Sequence, residues 1–312
     1  MVTLLAGPVG AGEFTSGRPG GTAAPAPFLA QVVNPADAAR SSSAAPDSQA
    51  VGAEGGRRRS WELPEIVVMG DPAHRLREEQ RVGAYRQPRW TATRRFPTTR
   101  VYVVPEGKAE FEAWIRPTFK DDGTVEMRSL WEMEFGLPHR FQLDLYLRTD
   151  QVLDPGGAPA EQGQQIEVRW AWADWGRIWG NPTFYLEWVN LYDSPDKIEP
   201  KLLLGGQLAE GWHAGANLVA ELELGGGREY EYEITAGLSH TVIDSRIGLG
   251  LETRCAVANV AADRAHFQEN LRVGPSLQLR PLPQMTINVA PLVGLTADSD
   301  DAQLFVNVGW EF

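Results

Sequence analysis

The chain has 312 residues, 43% of them hydrophobic and 9% aromatic, with 32 Gly, 22 Pro, 11 Trp and a formal charge of −12. Its one cysteine, Cys255, excludes a disulfide framework and a two-cysteine metal or redox site. The acidity argues against a nucleic-acid partner, and no apolar run reaches the ~18 residues of a helical membrane span.

In residues 1–60, 34 positions are Ala, Gly, Ser or Pro, and the apolar residues follow no helical or strand period. Such a stretch cannot bury enough apolar surface to offset its ordering entropy, which predicts a low-complexity disordered segment. Its start, Met1-Val-Thr-Leu-Leu-Ala-Gly-Pro, lacks a positive flank. It reads either as a truncated signal peptide or as plain linker.

Residues 61–107 form a second unit, read as an extended periplasmic or lumen-entering segment. The β-branched run Leu63-Pro-Glu-Ile-Val-Val-Met-Gly70 resembles the short segment of TonB-dependent receptors that pairs with an energising periplasmic protein by strand addition. That resemblance implies a TonB-like partner at Ile66, Val67 and Val68; an ordinary edge strand or linker fits the same residues. The family's plug domain has no counterpart here, because too few residues follow before the first barrel strand. Further on, Arg81, Arg86, Arg89, Arg94, Arg95 and Arg100 alternate with Tyr85, Trp90 and Phe96. Basic and aromatic groups preceding a strongly acidic region suggest either an internal electrostatic partner in an acidic cavity or a solvated linker.

Residues 108–312 hold 16 basic and 31 acidic groups, and they alternate with period two. The segment 228–239 sets Tyr230, Tyr232, Ile234, Ala236 and Leu238 against Glu229, Glu231, Glu233, Thr235 and Gly237. The same test predicts strands at 108–119, 127–136, 141–149, 165–175, 183–192, 199–209, 212–224, 228–240, 245–257, 266–280, 284–295 and 302–312. The run at 199–209 is the weakest, since Leu202, Leu203 and Leu204 are consecutive. Most have the length a tilted strand needs to cross a bilayer core, and twelve is even. Tight turns such as Leu137–Arg140 and Glu210–Gly211 fall mostly on one side, and longer loops such as 150–164 on the other. Phe135, Phe141, Trp175, Trp179, Phe184, Trp212, Trp310 and Phe312 gather at the tight-turn side; Phe119, Tyr192, Tyr230 and Phe267 gather at the other. Aromatic residues at both strand ends suit an interfacial girdle. The predicted fold is all-β, a closed antiparallel transmembrane β-barrel of about twelve strands.

The polar face of these strands is the candidate site. It carries Glu110, Glu112, Glu132, Glu134, Asp144, Glu167, Glu187, Glu221, Glu223, Glu229, Glu231, Glu233, Glu252 and Glu311 against Arg116, Arg128, Arg148, Arg169, Arg254, Arg272 and Arg280. Lumen carboxylates favour cations, and the Gly residues among them suit a wet interior. The same groups could instead pair into a network that seals the barrel. No catalytic constellation emerges: Ser239 and His240 are adjacent, so they point to opposite faces of a strand. No His or Cys cluster has metal-ligand spacing, no cofactor is implied, and each His reads as an interfacial or turn residue.

The final segment Val306-Asn-Val-Gly-Trp-Glu-Phe312 resembles the terminal amphipathic strand of Gram-negative outer-membrane β-barrel proteins. That resemblance implies residence in the cell outer membrane, the lipid bilayer and the barrel-assembly machinery as partners, and Trp310 and Phe312 as the assembly signal. The expected function is a porin-like channel or passive transporter for small solutes, with cations favoured. A sealed structural barrel and a soluble all-β binding protein are the alternatives.

Overall fold

The computed structural model describes residues 77–153 and 159–312. The 1–60 segment with its candidate leader, and Ile66, Val67 and Val68, lie outside the described residues. A small hairpin, β1 (Arg81–Val82) and β2 (Gln87–Pro88), comes first. Twelve long strands follow: β3 (Ala109–Phe119), β4 (Val125–Leu137), β5 (Phe141–Val152), β6 (Glu161–Ala171), β7 (Thr183–Leu191) and β8 (Lys197–Ala209) form the first half. The second half is β9 (Trp212–Glu223), β10 (Tyr230–Ile243), β11 (Ile247–Asn259), β12 (Gln268–Leu282), β13 (Met285–Gly294) and β14 (Ala302–Glu311). Each pairs antiparallel with its sequence neighbour, and β14 closes on β3 with Glu311 opposite Glu110 and Ala302 opposite Phe119. Closure leaves no edge in the twelve-stranded sheet.

The period-two pattern decides which way each side chain points. In β6 burial alternates at every residue, with Gly163, Gln165, Glu167 and Arg169 inward and Gln164, Ile166, Val168 and Trp170 outward. Polar groups turned in and apolar groups turned out reverse the order of a water-soluble barrel. The outer face carries exposed Trp131, Leu147, Ile166, Ile234, Leu251 and Val293, and the lone Cys255 lies on it too. An apolar belt of this kind is what strands in a bilayer present to lipid.

The predicted strands match with one displacement. The strand expected at 165–175 runs from Glu161 to Ala171, so the loop expected at 150–164 shrinks to residues 153–160. Glu161 and Gln162 read as loop in isolation, yet they extend the ladder opposite Asp150 and Thr149. At the other end, Trp172–Pro182 leaves the sheet. Trp175, expected in the interfacial girdle, instead packs edge-on against Trp90 and Tyr102, with ring centroids 5.6 and 5.2 Å away. This connection is the long exception at the end of the barrel that also carries Ala109 and Glu311, hereafter the terminal end; the opposite rim is the loop end. Trp179 stands 90% exposed there.

Buried apolar packing sits inside the barrel. Tyr85, Trp90, Phe96, Val101, Tyr102 and Val103, all from residues preceding β3, cluster with Ala171. A smaller group joins Trp114, Ala290, Leu292 and Phe305 across β3, β13 and β14.

Candidate functional site: the barrel lumen

Residues 77–107 occupy the terminal half of the lumen. Phe96 is fully buried against β9 and β10, where Gly215 and Gly237 leave it room; a Cβ on Gly237 would lie 2.5 Å from its ring. Val101 uses Gly205 in the same way, and the Pro105 carbonyl sits over Gly136. Of these, Gly215 and Gly237 were expected to mark a wet lumen. They are the positions where the inner segment meets the wall, because a wall without side chains lets a second backbone layer fit within the barrel.

Polar groups fix the register of the inner segment. The Arg100 N–H donates to Asn217 Oδ1 at 2.9 Å, and Asn217 Nδ2 donates back to the Arg100 carbonyl at 2.7 Å. Thr98 donates through its N–H to Glu252 at 2.8 Å, and the Val104 N–H to Gln142 at 2.6 Å. Arg95, almost fully buried, donates to Ser239 Oγ at 2.8 Å, Gln278 Oε1 at 3.0 Å and Thr241 Oγ1 at 3.1 Å, and pairs with Glu78 at 2.9 Å. Ser239 therefore serves the inner segment, whereas His240 stacks beside Trp212 at 4.7 Å. His213, read from sequence as an interfacial or turn residue, is fully buried, 2.9 Å from Glu79 and 4.5 Å from the Trp90 ring. Burial, and then the neighbouring Glu78, raises the Glu79 pKa.

The acidic wall receives two of the arginines. Arg94 Nε donates to Glu112 at 2.8 Å, and its guanidinium stacks over Trp114 at 4.1 Å. Arg94 also lies 3.4 Å from Glu132, while Arg100 reaches Glu132 at 3.0 Å and pairs with Glu134. Burial alone would lower the Arg100 pKa, but Glu134, Glu112 and Glu132 together hold it well above its ordinary value. Glu167 and Asp144 pair with Arg169, on the same strand face and the next strand. Tyr146 bridges Glu132 and Glu167.

Above the inner segment the lumen opens. A chamber is lined by Arg116, Arg128, Arg148, Arg254, Glu187 and Glu233 among others, and the floor under it is Arg94, Pro97, Thr98 and Arg100. A second space lies toward the loop end and shares Arg116 and Arg128 with the first. Charge in the chamber is unevenly spread around the wall. Arg254, Arg116, Arg128 and Arg148 come from β11, β3, β4 and β5, and Glu187, Glu199, Glu221, Glu231 and Glu233 come from β7 to β10, with Lys201 among these acids and Glu132 among the arginines. Arg128 and Arg148 share Asp150, and Arg254 pairs with Glu233. Among the described residues no carboxylate pairs with Arg116, which lies 5.5 Å from the Phe305 ring.

The expected lumen residues thus divide. Glu134 and Asp144 lie deep, Glu132, Glu167 and Arg169 lie deep and also border the chamber, Glu252 holds the inner segment, and Glu187, Glu221, Glu231, Glu233 and Arg254 line the chamber. Arg272 pairs with Asp300 nearer the loop end. Two positions depart from the expectation. Glu229 precedes β10 as an exposed turn residue accepting from the Ala261 N–H, and Glu223, at the last residue of β9, accepts from the Glu229 N–H. Both belong to the rim, because the turn begins one pair earlier than the alternation suggested. Glu199 and Lys201 face inward and were missed, since the neighbouring Leu run hid the period of β8. The chamber lining as a whole has seven carboxylates and eight cationic groups; six of those cations are on the wall itself, so the chamber wall is nearly balanced rather than strongly acidic, and Arg94 and Arg100 tip it to a slight cationic excess.

No family model matches the sequence, and no curated protein matches it. Solved structures do resemble it. An outer membrane channel from Pseudomonas putida F1 superposes with a TM-score of 0.52 at 11% identity, covering 68% of this chain and 98% of that one. The KdgM porin, in a complex with disordered oligogalacturonate, gives a TM-score of 0.45 at 8% identity over 66% of this chain and 99% of its own. The NanC porin gives 0.44 at 12% identity over 65% and 98%. The first of these likenesses, with the closed twelve-strand order, places the fold of residues 109–311 among the outer-membrane β-barrels.

Proposed function

We propose that the protein is a channel of the cell outer membrane that passes small solutes through a lumen narrowed by residues 77–107. The observation that carries this reading is the pair of adjacent spaces that share Arg116 and Arg128, one toward the loop end and one above the inner segment. The outward apolar belt supports a bilayer as the surrounding medium, and the exposed Trp310 and Phe312 support recognition by the barrel-assembly machinery. With Arg94 and Arg100 in place the chamber is nearly balanced in charge, so selectivity in the full chain is weak. The cation preference belongs to the lumen once those arginines are withdrawn and Glu112, Glu132 and Glu134 face water. A sealed accessory barrel is the second reading, favoured by the depth to which Phe96, Arg95 and Val103 are buried in the terminal half.

Proteoliposome swelling tests the reading. The full chain should admit small neutral solutes slowly, and a variant lacking residues 77–107 should admit them faster. Reversal potentials in a salt gradient should be near zero for the full chain and shift toward cations for the variant. No solute entry with either protein would overturn the channel and leave the sealed barrel.

A further inference from the structure

Deep in the terminal half, seven carboxylates are no more than 1% exposed; Glu252 is held by Thr98, and the other six gather near the inner arginines: Glu110, Glu112, Glu132, Glu134, Asp144 and Glu167. Three guanidiniums pair with this group, from Arg94, Arg100 and Arg169. Fully ionised, the floor would hold three more negative than positive charges in a low-dielectric interior, which is costly without further compensation. Five of the six carboxylates accept from a guanidinium or another side-chain donor. Glu112 and Glu132 accept from Arg94, Glu134 from Arg100 and Gln142, Asp144 from Gln142, and Glu167 from Tyr146 and Arg169. Among the described residues Glu110 is different, because both of its oxygens are buried without a hydrogen-bond partner.

The oxygen atoms around Glu110 converge. Thr286 on β13 stands opposite Gly309 on β14, and its fully buried Oγ1 is also without a partner. A Cβ built on Gly309 would lie 2.5 Å from Glu110 Oε1 and 2.5 Å from Thr286 Oγ1. Two atoms each that far from one point are at most about 5 Å apart, and an ion with oxygen distances of about 2.3–2.6 Å reaches both from the lumen side of that point, clear of the Gly309 Cα. The next inward residue of β13, Asn288, is fully buried with its Oδ1 unpartnered. Carboxylate, hydroxyl and amide oxygens, with no sulfur or imidazole, form a donor set for a hard cation.

We propose that Glu110 and Thr286, facing each other across the bare backbone of Gly309, bind a hard cation of the Ca²⁺ class, with Asn288 as a further oxygen donor. The ion supplies the positive charge that the three arginines leave wanting. It lowers the repulsion between Glu110 and the carboxylates on which Arg94 and Arg100 are seated. This site stands whether or not the lumen conducts.

The test uses the full chain refolded in detergent, stripped with a chelator and dialysed against Ca²⁺, with bound metal measured by atomic emission. Tb³⁺ luminescence excited through tryptophan is the second readout. One Ca²⁺ per folded chain is expected. Glu110→Gln should weaken binding by more than about tenfold, as should Gly309→Ala, whose methyl fills the space between the two oxygens. Thr286→Val keeps the side-chain shape and serves if either of these fails to fold. Asp122→Asn, in an exposed turn, should leave binding unchanged. A folded wild-type chain that retains neither Ca²⁺ nor Tb³⁺ would overturn the proposal and assign a proton to Glu110. Undiminished binding by folded Glu110→Gln would overturn it as well.

Discussion

Gly237 shows what a single missing side chain does in this barrel. Its neighbours on the inner face of β10 are Thr235 and Ser239, and Phe96 lies directly over it. Sequence alone signals only that something close, or nothing at all, lies over a glycine; a wet lumen and a packed second layer leave the same trace. A Gly237→Val variant should therefore displace Phe96. The expected outcome is faster protease cleavage within residues 77–107 while the barrel keeps its mobility difference between unboiled and boiled samples. Unchanged cleavage would show that the contact is slack. Arg100 is the charged counterpart. Arg100→Met leaves Glu132 and Glu134 short of a cation in the interior, and losing one member of a buried ion pair costs about 3–5 kcal/mol. The unfolding midpoint in denaturant should drop accordingly, and the loss should shrink as pH falls and the carboxyls take up protons.

The strands were legible because an element with one face in an apolar medium and one face inward must alternate, and nine to fifteen residues of alternation outweigh local accidents. Where the reading slipped, a local cause is visible. In β6, Glu161 and Gln162 look like loop residues, but their partners Asp150 and Thr149 are already in register. In β8, Leu202 and Leu204 face one way and Leu203, fully buried, faces the other, so three consecutive leucines serve two surfaces. The Trp172–Pro182 connection was misassigned because Trp175 answers to the inner segment, a contact no strand period encodes. Just after β14 comes an exposed Phe312 whose N–H donates to the Ala109 carbonyl, next to the closure of the barrel. Deleting Phe312 should lower the yield of folded barrel in cells while refolding in detergent is less affected. Equal yields in cells would contradict its role in assembly.

At the scale of the molecule, charge and topology act together. The walls alone are acidic, and residues 77–107 bring arginines to the deepest carboxylates, so the balance of the lumen depends on where that one segment sits. This coupling was only half readable: the acidic face and the run from Arg81 to Arg100 were both visible in sequence, but the pairing of Arg94 with Glu112 and of Arg100 with Glu134 joins residues whose proximity follows from barrel closure. Single-channel recording in a planar bilayer tests the central claim most directly. The full chain should give small, rare conductance steps, and the variant lacking residues 77–107 should give larger, sustained ones. Equal conductance from the two proteins, or no current from either, would contradict the account.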